Sequence, residues 1–128
     1  MTIKVGINGF GRIGRMVLRS IIENNRKDLE VVAINNRGNS EISSFLLKHD
    51  TIHGKLKAKI NHSEKAIEVN GKKISLIRET EISTIDWKKY NINVVLECTG
   101  NLILKKNHHN ILTRVLKKFW FLLHAKVQ

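Results

Sequence analysis

The sequence has no proline and a single cysteine, Cys98, among its 128 residues. One cysteine excludes an intrachain disulfide and leaves no thiol cluster that would hold zinc. No run approaches the roughly 18 consecutive apolar residues of a membrane-spanning helix, and the first residues lack the apolar core of a secretory signal. These absences predict a cytoplasmic protein in a reducing compartment, with no membrane span and no metal site.

Acidic residues are also scarce, since 11 Asp and Glu stand against 23 Lys and Arg and give a net charge of +12. The chain contains 16 Lys, 17 Ile and 13 Asn, which have A/T-rich codons, whereas the C-rich codons of proline are unused. This composition indicates a nucleotide bias that places lysine on solvated faces, so the charge alone predicts no specific nucleic-acid partner. The charge is unevenly distributed, because residues 101–128 contain 6 basic residues and no acidic ones.

A strand, a glycine-rich turn and a helix open the chain. The alternating, β-branched segment Ile3–Asn8 predicts a strand, and the turn Gly9–Gly14 follows it directly. The apolar residues that then recur at helical spacing are Met16, Val17, Ile21 and Ile22. The apolar segment Leu29–Asn35 predicts a second strand, buried on both faces. Within this unit of strand, turn and helix, the GxGxxG spacing predicts a dinucleotide-binding site.

Each glycine of the turn has its own physical role. Gly9 permits a tight turn, Gly11 lets the backbone approach a diphosphate, and Gly14 lets the helix pack close to the strand. The amides of Arg12 and Ile13 begin the helix, where unpaired N–H donors and the positive end of the helix dipole favour phosphate. We therefore expect a dinucleotide cofactor such as NAD.

The residue expected to bind the adenosine ribose is not acidic in this chain. Dinucleotide-binding units usually carry Asp or Glu about 20 residues after the glycine turn, whereas this chain has Asn36, followed by Arg37. An amide can hydrogen-bond ribose hydroxyls without repelling a 2′-phosphate, and a guanidinium can pair with that phosphate. The sequence therefore leaves NAD and NADP open as cofactors, with a plain polar turn at residues 36–39 as the remaining interpretation.

The middle of the chain predicts a second helix followed by short strands. Ser40 is predicted to cap a helix whose apolar residues are Ile42, Phe45, Leu46 and Leu47. The predicted strands that follow are Lys55–Ile60, Ala66–Val69, Lys72–Ile77 and Ile92–Gly100, with a helical turn at Asp86–Tyr90. Asn70-Gly71 predicts a type I′ hairpin turn between two of these strands. Together the elements predict an α/β fold, an incomplete doubly wound, Rossmann-type dinucleotide-binding domain over residues 1–100.

Several longer motifs extend along the chain beyond the glycine turn. In chain order they are IKVGINGFGRIGR at residues 3–15, VAIN at 32–35, LLKHDTIHG at 46–54, VNGKKI at 69–74 and ECTG at 97–100. Together these motifs resemble the family of glyceraldehyde-3-phosphate dehydrogenases. The resemblance covers residues 1–100 and implies oxidation of an aldehyde to an acyl phosphate with hydride transfer to NAD, in a homotetrameric enzyme. Erythrose-4-phosphate dehydrogenase shares much of this region and is the close relative to consider.

The same resemblance implies a set of cofactor-binding residues. By position they are Asn8, Gly9, Gly11, the amides of Arg12 and Ile13, Asn36, Arg78, Thr99 and Gly100. The family's nucleophile is a cysteine in a Ser-Cys-Thr-Thr-Asn motif, which this sequence lacks. Cys98 lies in a different context, on an apolar strand, and is predicted to pack rather than react. We therefore expect the 128-residue polypeptide to bind the cofactor without catalysing the reaction by itself.

The family pattern stops after Gly100. If one adenine nucleotide is inserted after the codon of Gly100, the codons allowed for residues 101–128 can be read in the shifted frame as KFNIKKKSSQHLNAGAKKILVSAPCKS. This translation resembles the next segment of the family. This fit predicts a single-base deletion, either present in the gene or introduced in reading its sequence, and a frameshifted tail, residues 101–128, that forms no domain of its own. The alternative is an evolved basic amphipathic helix within residues 105–126, which would bind RNA or an anionic membrane surface.

Overall fold

A computed structural model of the chain describes residues 2–81 and 84–99. The predicted site residue Gly100 and the tail at 101–128, with both of its interpretations, lie outside the described residues. In the described ranges, neither helix has the length and apolar character needed to cross a membrane.

Strands and helices alternate in the first half of the described chain, and short strands dominate the second half. In chain order the elements are strand β1 (Ile3–Asn8), helix α1 (Arg12–Glu23), strand β2 (Leu29–Asn35), helix α2 (Ser40–Lys48), strands β3 (His49–Asp50), β4 (Gly54–Lys55), β5 (Ile60–Ser63), β6 (Ala66–Val69) and β7 (Lys72–Ile77), a 3₁₀ helix (Trp87–Tyr90) and strand β8 (Val94–Glu97).

Six of these strands form one sheet in the order β5-β6-β7-β2-β1-β8, and β3 pairs with β4 in a separate hairpin. Strands β7, β2, β1 and β8 run parallel, whereas β5 and β6 extend the sheet as antiparallel strands. In a doubly wound domain the first strand lies between the second and the strand that begins the other half. Because β1 lies between β2 and β8, the predicted α/β fold class is confirmed.

The sheet carries a hydrophobic cluster on each face. One cluster contains Leu18 of α1 and Leu47 of α2 together with Ile7 and Ile34 of the sheet. The opposite cluster is built around Trp87 of the 3₁₀ helix, which is 2% exposed. Trp87 lies directly on β1 at Gly6, where an added Cβ would be 2.8 Å from its ring. The two helices and the 3₁₀ segment therefore cover opposite faces of the parallel strands.

Helix α2 differs from its prediction in its cap, and small residues form most of its buried face. The cap is Asn39, whose side chain accepts a hydrogen bond from the Ile42 amide, and Ser40 is the first helical residue. The buried positions are Ser40, Ser43, Ser44 and Leu47. Their small side chains allow close packing on this face, and Phe45, which is 61% exposed, lies on the outer face. Ile42 and Leu46, with exposed fractions of 54% and 38%, lie on the same outer face.

Two strand predictions were too long. The segment predicted as Lys55–Ile60 is interrupted because the Ala58 amide donates back to the Leu56 carbonyl at 3.0 Å. The late strand begins only at Val94 because the Ile92 amide donates to Trp87 of the 3₁₀ helix, at 3.3 Å. The limits of β1, β2, β6 and β7 agree with the predictions, whereas β3 and residues 61–63 of β5 were not predicted as strand. The positive φ angles of the turn residues, 51° and 82° at positions 70 and 71, confirm the hairpin turn.

Gly14 of α1 lies directly against the turn that follows β1. A Cβ at this position would lie 2.2 Å from the Gly9 carbonyl oxygen.

We expect Gly14→Ala to lower the free energy of unfolding by at least about 1 kcal/mol, because strain against the backbone outweighs the helix preference of alanine. Urea unfolding measures the change. Gly11→Ala is the matched control, because no atom lies within 4 Å of its added Cβ; equal stability of the two variants would contradict the packing described.

Candidate functional site

The carboxyl ends of the four parallel strands meet at one edge of the sheet. Asn8 ends β1, Asn36 follows β2, Arg78 follows β7 and Thr99 lies two residues after β8. Open α/β sheets bind ligands in the crevice outside this edge, at the point where the strand order reverses. In this chain that point lies at β1, between β2 and β8. The fold therefore brings four of the predicted site residues to the edge where a ligand is expected.

The glycine turn is packed tightly against this edge. Gly9 has a φ of 96°, which favours glycine, and its amide donates to the Asn35 carbonyl at 2.8 Å. A Cβ on Gly9 would lie 2.6 Å from the Thr99 side chain. Phe10 is 3% exposed, and its carbonyl accepts a hydrogen bond from the Arg15 guanidinium at 3.1 Å. These contacts hold the turn in one position between β1 and β8.

The N-terminus of α1 opens outward from this turn. Gly11 is the N-cap, it provides no side-chain cap, and the first turn of the helix contains no acidic residue. The amides of Arg12 and Ile13 therefore have no acceptor within the helix, as at any helix start. The position of a Cβ on Gly11 has no atom within 4 Å. The first turn thus presents N–H donors and partial positive charge to an open space, a geometry that suits a phosphate group.

An ion pair flanks the same helix start. The Arg12 guanidinium lies 3.5 Å from the Asp50 carboxylate, which also accepts hydrogen bonds from the His53 ring at 2.6 Å and the His53 amide at 2.9 Å. Hydrogen bonding from His53, supplemented by the charge of Arg12, lowers the pKa of Asp50 to about 2. Asp50 is therefore ionised near neutral pH and fixes the Arg12 side chain beside the turn.

A buried arginine fastens the β3–β4 hairpin to α1. Arg19 is 2% exposed, and its guanidinium donates to the carbonyls of Leu47, His53 and Gly54 at 3.3, 3.3 and 2.9 Å. The same group pairs with Glu23 at 3.2 Å. Arg19 therefore connects α1 to one carbonyl in α2 and to two in the β3–β4 hairpin. Because Asp50 belongs to this hairpin, the same contacts set its position relative to α1.

A chain of polar side chains crosses the crevice on the Trp87 face of the sheet. Asn35 is 7% exposed and exchanges two hydrogen bonds of 2.9 Å with the backbone of Glu79. The side-chain amide of Asn35 also donates to the side-chain oxygen of Asn8 at 2.8 Å. The side-chain amide of Asn8 in turn donates to the Glu97 carboxylate at 2.6 Å. The Glu97 carboxylate accepts further hydrogen bonds from the Thr99 amide, at 2.9 Å, and from the Thr99 hydroxyl. The chain thus joins the ends of β7, β2, β1 and β8.

The β2 end of the crevice carries Asn36 between two exposed arginines. The Asn36 amide donates to the Ser43 hydroxyl at 2.9 Å, and its backbone N–H donates to the Ile77 carbonyl at 2.9 Å. Arg37 and Arg78 are both exposed. This end therefore offers an amide and two cations, with no carboxylate at position 36.

Cys98 lies beside the crevice but is poorly suited to nucleophilic chemistry. It is half-buried against the helix-covered cluster, and its amide donates to the Asn8 carbonyl at 2.8 Å. Burial, together with the charge of Glu97, raises the pKa of the Cys98 thiol to about 11. The thiol is therefore protonated near neutral pH, as expected for a packing residue.

The structure places the predicted residues at the carboxyl edge of the sheet and at the start of α1 beside it; they are Asn8, Gly9, Gly11, Arg12, Ile13, Asn36, Arg78 and Thr99. Sequence analysis did not identify Glu97, which accepts hydrogen bonds from Asn8 and Thr99. It also did not identify Asp50, which forms an ion pair with Arg12. The sequence position of Glu97 could have identified it, because a carboxylate at the end of an otherwise apolar strand requires a polar partner at this edge of the sheet. Asp50 carried no comparable signal, since its contact depends on the hairpin that follows α2.

Comparison with known proteins agrees with this geometry. Residues 3–105 match the family model described as "Glyceraldehyde 3-phosphate dehydrogenase, NAD binding domain". The fold and crevice thus define a dinucleotide-binding α/β domain. The chain belongs to the glyceraldehyde-3-phosphate dehydrogenase family, as its motifs predicted.

Individual relatives support the same assignment. Glyceraldehyde-3-phosphate dehydrogenase of Streptomyces coelicolor is 46% identical over 100 residues, which is 78% of this chain and 30% of the relative. A Giardia intestinalis enzyme of that name is 46% identical over 108 residues, covering 84% of this chain and 32% of the relative. A Bacillus cereus enzyme is 43% identical over 115 residues, which is 90% of this chain and 34% of the relative. The chain spans about a third of the length of these relatives.

Proposed function

We propose that this chain binds a nicotinamide dinucleotide across the carboxyl edge of its sheet, as the cofactor-binding part of a glyceraldehyde-3-phosphate dehydrogenase. The observation that carries the proposal is the uncapped start of α1 at the carboxyl edge of the sheet, where no atom lies within 4 Å of a Cβ built on Gly11. A diphosphate fits this place because the N–H donors and the helix dipole face it and no side chain fills it. The family match adds NAD as the dinucleotide to be tested first.

Each predicted residue has a part in this arrangement. Gly9 and Gly11 shape the turn, and the amides of Arg12 and Ile13 bind the diphosphate. Asn36 and Arg78 then lie on the adenosine side, at the ends of β2 and β7. On the other side of the turn, Asn8, Thr99 and Gly100 face the nicotinamide half. For Gly100 this role rests on the resemblance alone, because the residue lies outside the described ranges.

We extend the proposal to the activity and assembly of the complete enzyme, of which this chain is the cofactor-binding part. The relatives carry the name of an aldehyde dehydrogenase, so we propose an aldehyde oxidation with hydride transfer to the cofactor, in a cytoplasmic homotetramer. An erythrose 4-phosphate substrate is the close alternative. The 128-residue sequence contains no Ser-Cys-Thr-Thr-Asn motif, and Cys98 is protonated and half-buried. We therefore expect this polypeptide to bind the cofactor without oxidising the aldehyde.

We also propose a boundary near Gly100, with residues 101–128 read in a shifted frame. The loss of acidic residues after position 100 supports this boundary. The nucleotide sequence around codon 100 is the test. A Ser-Cys-Thr-Thr-Asn segment downstream in the neighbouring frame is expected, and an uninterrupted original frame that encodes this segment would overturn the proposal.

The absence of an acid at position 36 leads us to propose that NADP is accepted together with NAD. One N–H of the Asn36 side-chain amide donates to Ser43, which leaves the second N–H and the carbonyl oxygen for a ribose hydroxyl. The amide has no negative charge that would repel a 2′-phosphate, and the exposed Arg37 can pair with that phosphate.

Gly11→Ala tests the diphosphate site directly. The added methyl group enters the space assigned to the diphosphate, so we expect the dissociation constant for NAD to rise by about tenfold or more, equivalent to about 1.4 kcal/mol. Isothermal titration calorimetry on the 128-residue chain measures it. Ser20→Ala, on an exposed position of the same helix, is the matched control and is expected to bind like the parent chain. Unchanged affinity in a folded Gly11→Ala variant would sink the proposed site.

Asn36→Asp tests the cofactor preference. A carboxylate at this position accepts hydrogen bonds from ribose hydroxyls but repels a 2′-phosphate. We expect the affinity ratio of NAD to NADP to increase by about tenfold or more, as measured by parallel titrations with the two cofactors. Asn39→Asp adds the same charge three residues away while preserving the α2 cap. The idea fails if both variants shift the ratio equally, or if the parent chain already prefers NAD by tenfold.

A further inference from the structure

Glu97 occupies a position at the end of β8 from which it holds two residues of the proposed cofactor site. It lies opposite Asn8 in the parallel register of β1 and β8. One carboxylate oxygen accepts from the Asn8 amide at 2.6 Å. The other accepts from the Thr99 N–H at 2.9 Å and from the Thr99 hydroxyl. A single carboxylate thus links the end of β1 to the segment that leaves β8.

The Asn8 amide has only one orientation that satisfies both of its neighbours. Its oxygen accepts from Asn35 at 2.8 Å, and its nitrogen donates to Glu97. An ionised carboxylate can only accept hydrogen bonds, and the Asn35 group that faces Asn8 is a donor. Asn35 is itself fixed by its pair of hydrogen bonds with the Glu79 backbone. Glu97 and Asn35 therefore set the Asn8 amide from opposite sides.

These residues lie on one side of the proposed diphosphate. The adenosine side is assigned to Asn36 and Arg78, at the ends of β2 and β7, and β8 is on the opposite side of β1. Thr99 lies against Gly9 of the turn, since a Cβ on Gly9 would come within 2.6 Å of it. A displacement of Thr99 would therefore change the wall of the crevice beyond the diphosphate and leave the adenosine side untouched.

We infer that Glu97 is a positioning residue for the nicotinamide half of the crevice, acting through Asn8 and Thr99. This inference rests on the proposed function. The carboxylate itself does not bind the cofactor; it accepts hydrogen bonds from Asn8 and Thr99 together. The consequence is selective: Glu97 supports binding of a complete dinucleotide, whereas the adenosine half binds without its help.

Glu97→Gln is the test, because it keeps the side-chain shape and replaces one acceptor oxygen with a donor. Glutamine cannot accept from both the Asn8 amide and the Thr99 N–H. We expect the dissociation constant for NAD to rise about tenfold while that for ADP stays within about twofold of the parent value. Calorimetric titrations of the 128-residue chain with NAD and with ADP measure the two values. Glu68→Gln, which removes an exposed carboxylate from β6 of the same sheet, is the matched control and is expected to change neither.

A second variant shows whether the hydrogen-bond pattern is responsible. Asn8→Asp alone places two carboxylates in contact, whereas the double variant Asn8→Asp, Glu97→Gln restores a donor opposite an acceptor. We therefore expect the melting temperature of the double variant to exceed that of Asn8→Asp. If it does not, the contact between the two side chains is absent and the inference is overturned.

The outcomes separate the inference from the proposed function. If the folded parent chain binds neither NAD nor ADP, the proposed function fails and the inference fails with it. If the parent binds NAD and Glu97→Gln binds it equally well, only the inference is overturned. An equal loss of NAD and ADP affinity would assign Glu97 a general structural role and would also overturn it. A loss confined to NAD supports the positioning role.

Discussion

The contact between Gly14 and the Gly9 carbonyl is the constraint on which the rest of the structure depends. Helix α1 approaches the end of β1 so closely that even a methyl group at Gly14 would lie 2.2 Å from that oxygen. This approach puts the first turn of the helix at the mouth of the crevice instead of beside the sheet. The same turn presses Gly9 against Thr99 beyond β8. Two strands and the helix therefore meet around a single short loop.

Two polar systems hold the elements around this loop. On one side, buried Arg19 fastens the β3–β4 hairpin to α1, and the hairpin presents Asp50 to Arg12. On the other side, the Asn35–Asn8–Glu97 chain joins the ends of three parallel strands. Buried polar groups are expensive to leave without partners, so each system specifies one arrangement of the crevice.

The elements that could be predicted are those whose signals are local. The β1–α1–β2 unit follows from alternation, glycine spacing and helical periodicity, and the Asn70-Gly71 turn follows from backbone preferences. The orientation of α2 could not be predicted, because periodicity identifies an apolar stripe but not the element that it faces. Here the serines are buried and Phe45 is exposed. Neighbouring Asn39 and Ser40 are both good caps, so composition alone could not choose between them.

The site was predictable to the extent that it is built from backbone and strand ends. The turn and Asn36 come from the motif and its spacing, whereas Arg78 and Thr99 came only from family resemblance. The partners that fix these residues were not predictable, because they are distant in sequence: Glu97 and Asn8 are separated by 89 residues. Likewise, an arginine on a helix is usually solvated, and only the position of the hairpin explains why Arg19 is buried.

The most direct test of the account is an amide proton–nitrogen correlation spectrum of the labelled 128-residue chain during titration with NAD. If the start of α1 binds the diphosphate, the largest saturable shifts occur at the amides of Gly11, Arg12 and Ile13. Smaller shifts are expected at Asn36 and Thr99. A folded chain whose spectrum does not change, or whose shifts are confined to the β5–β6 hairpin, would contradict the account.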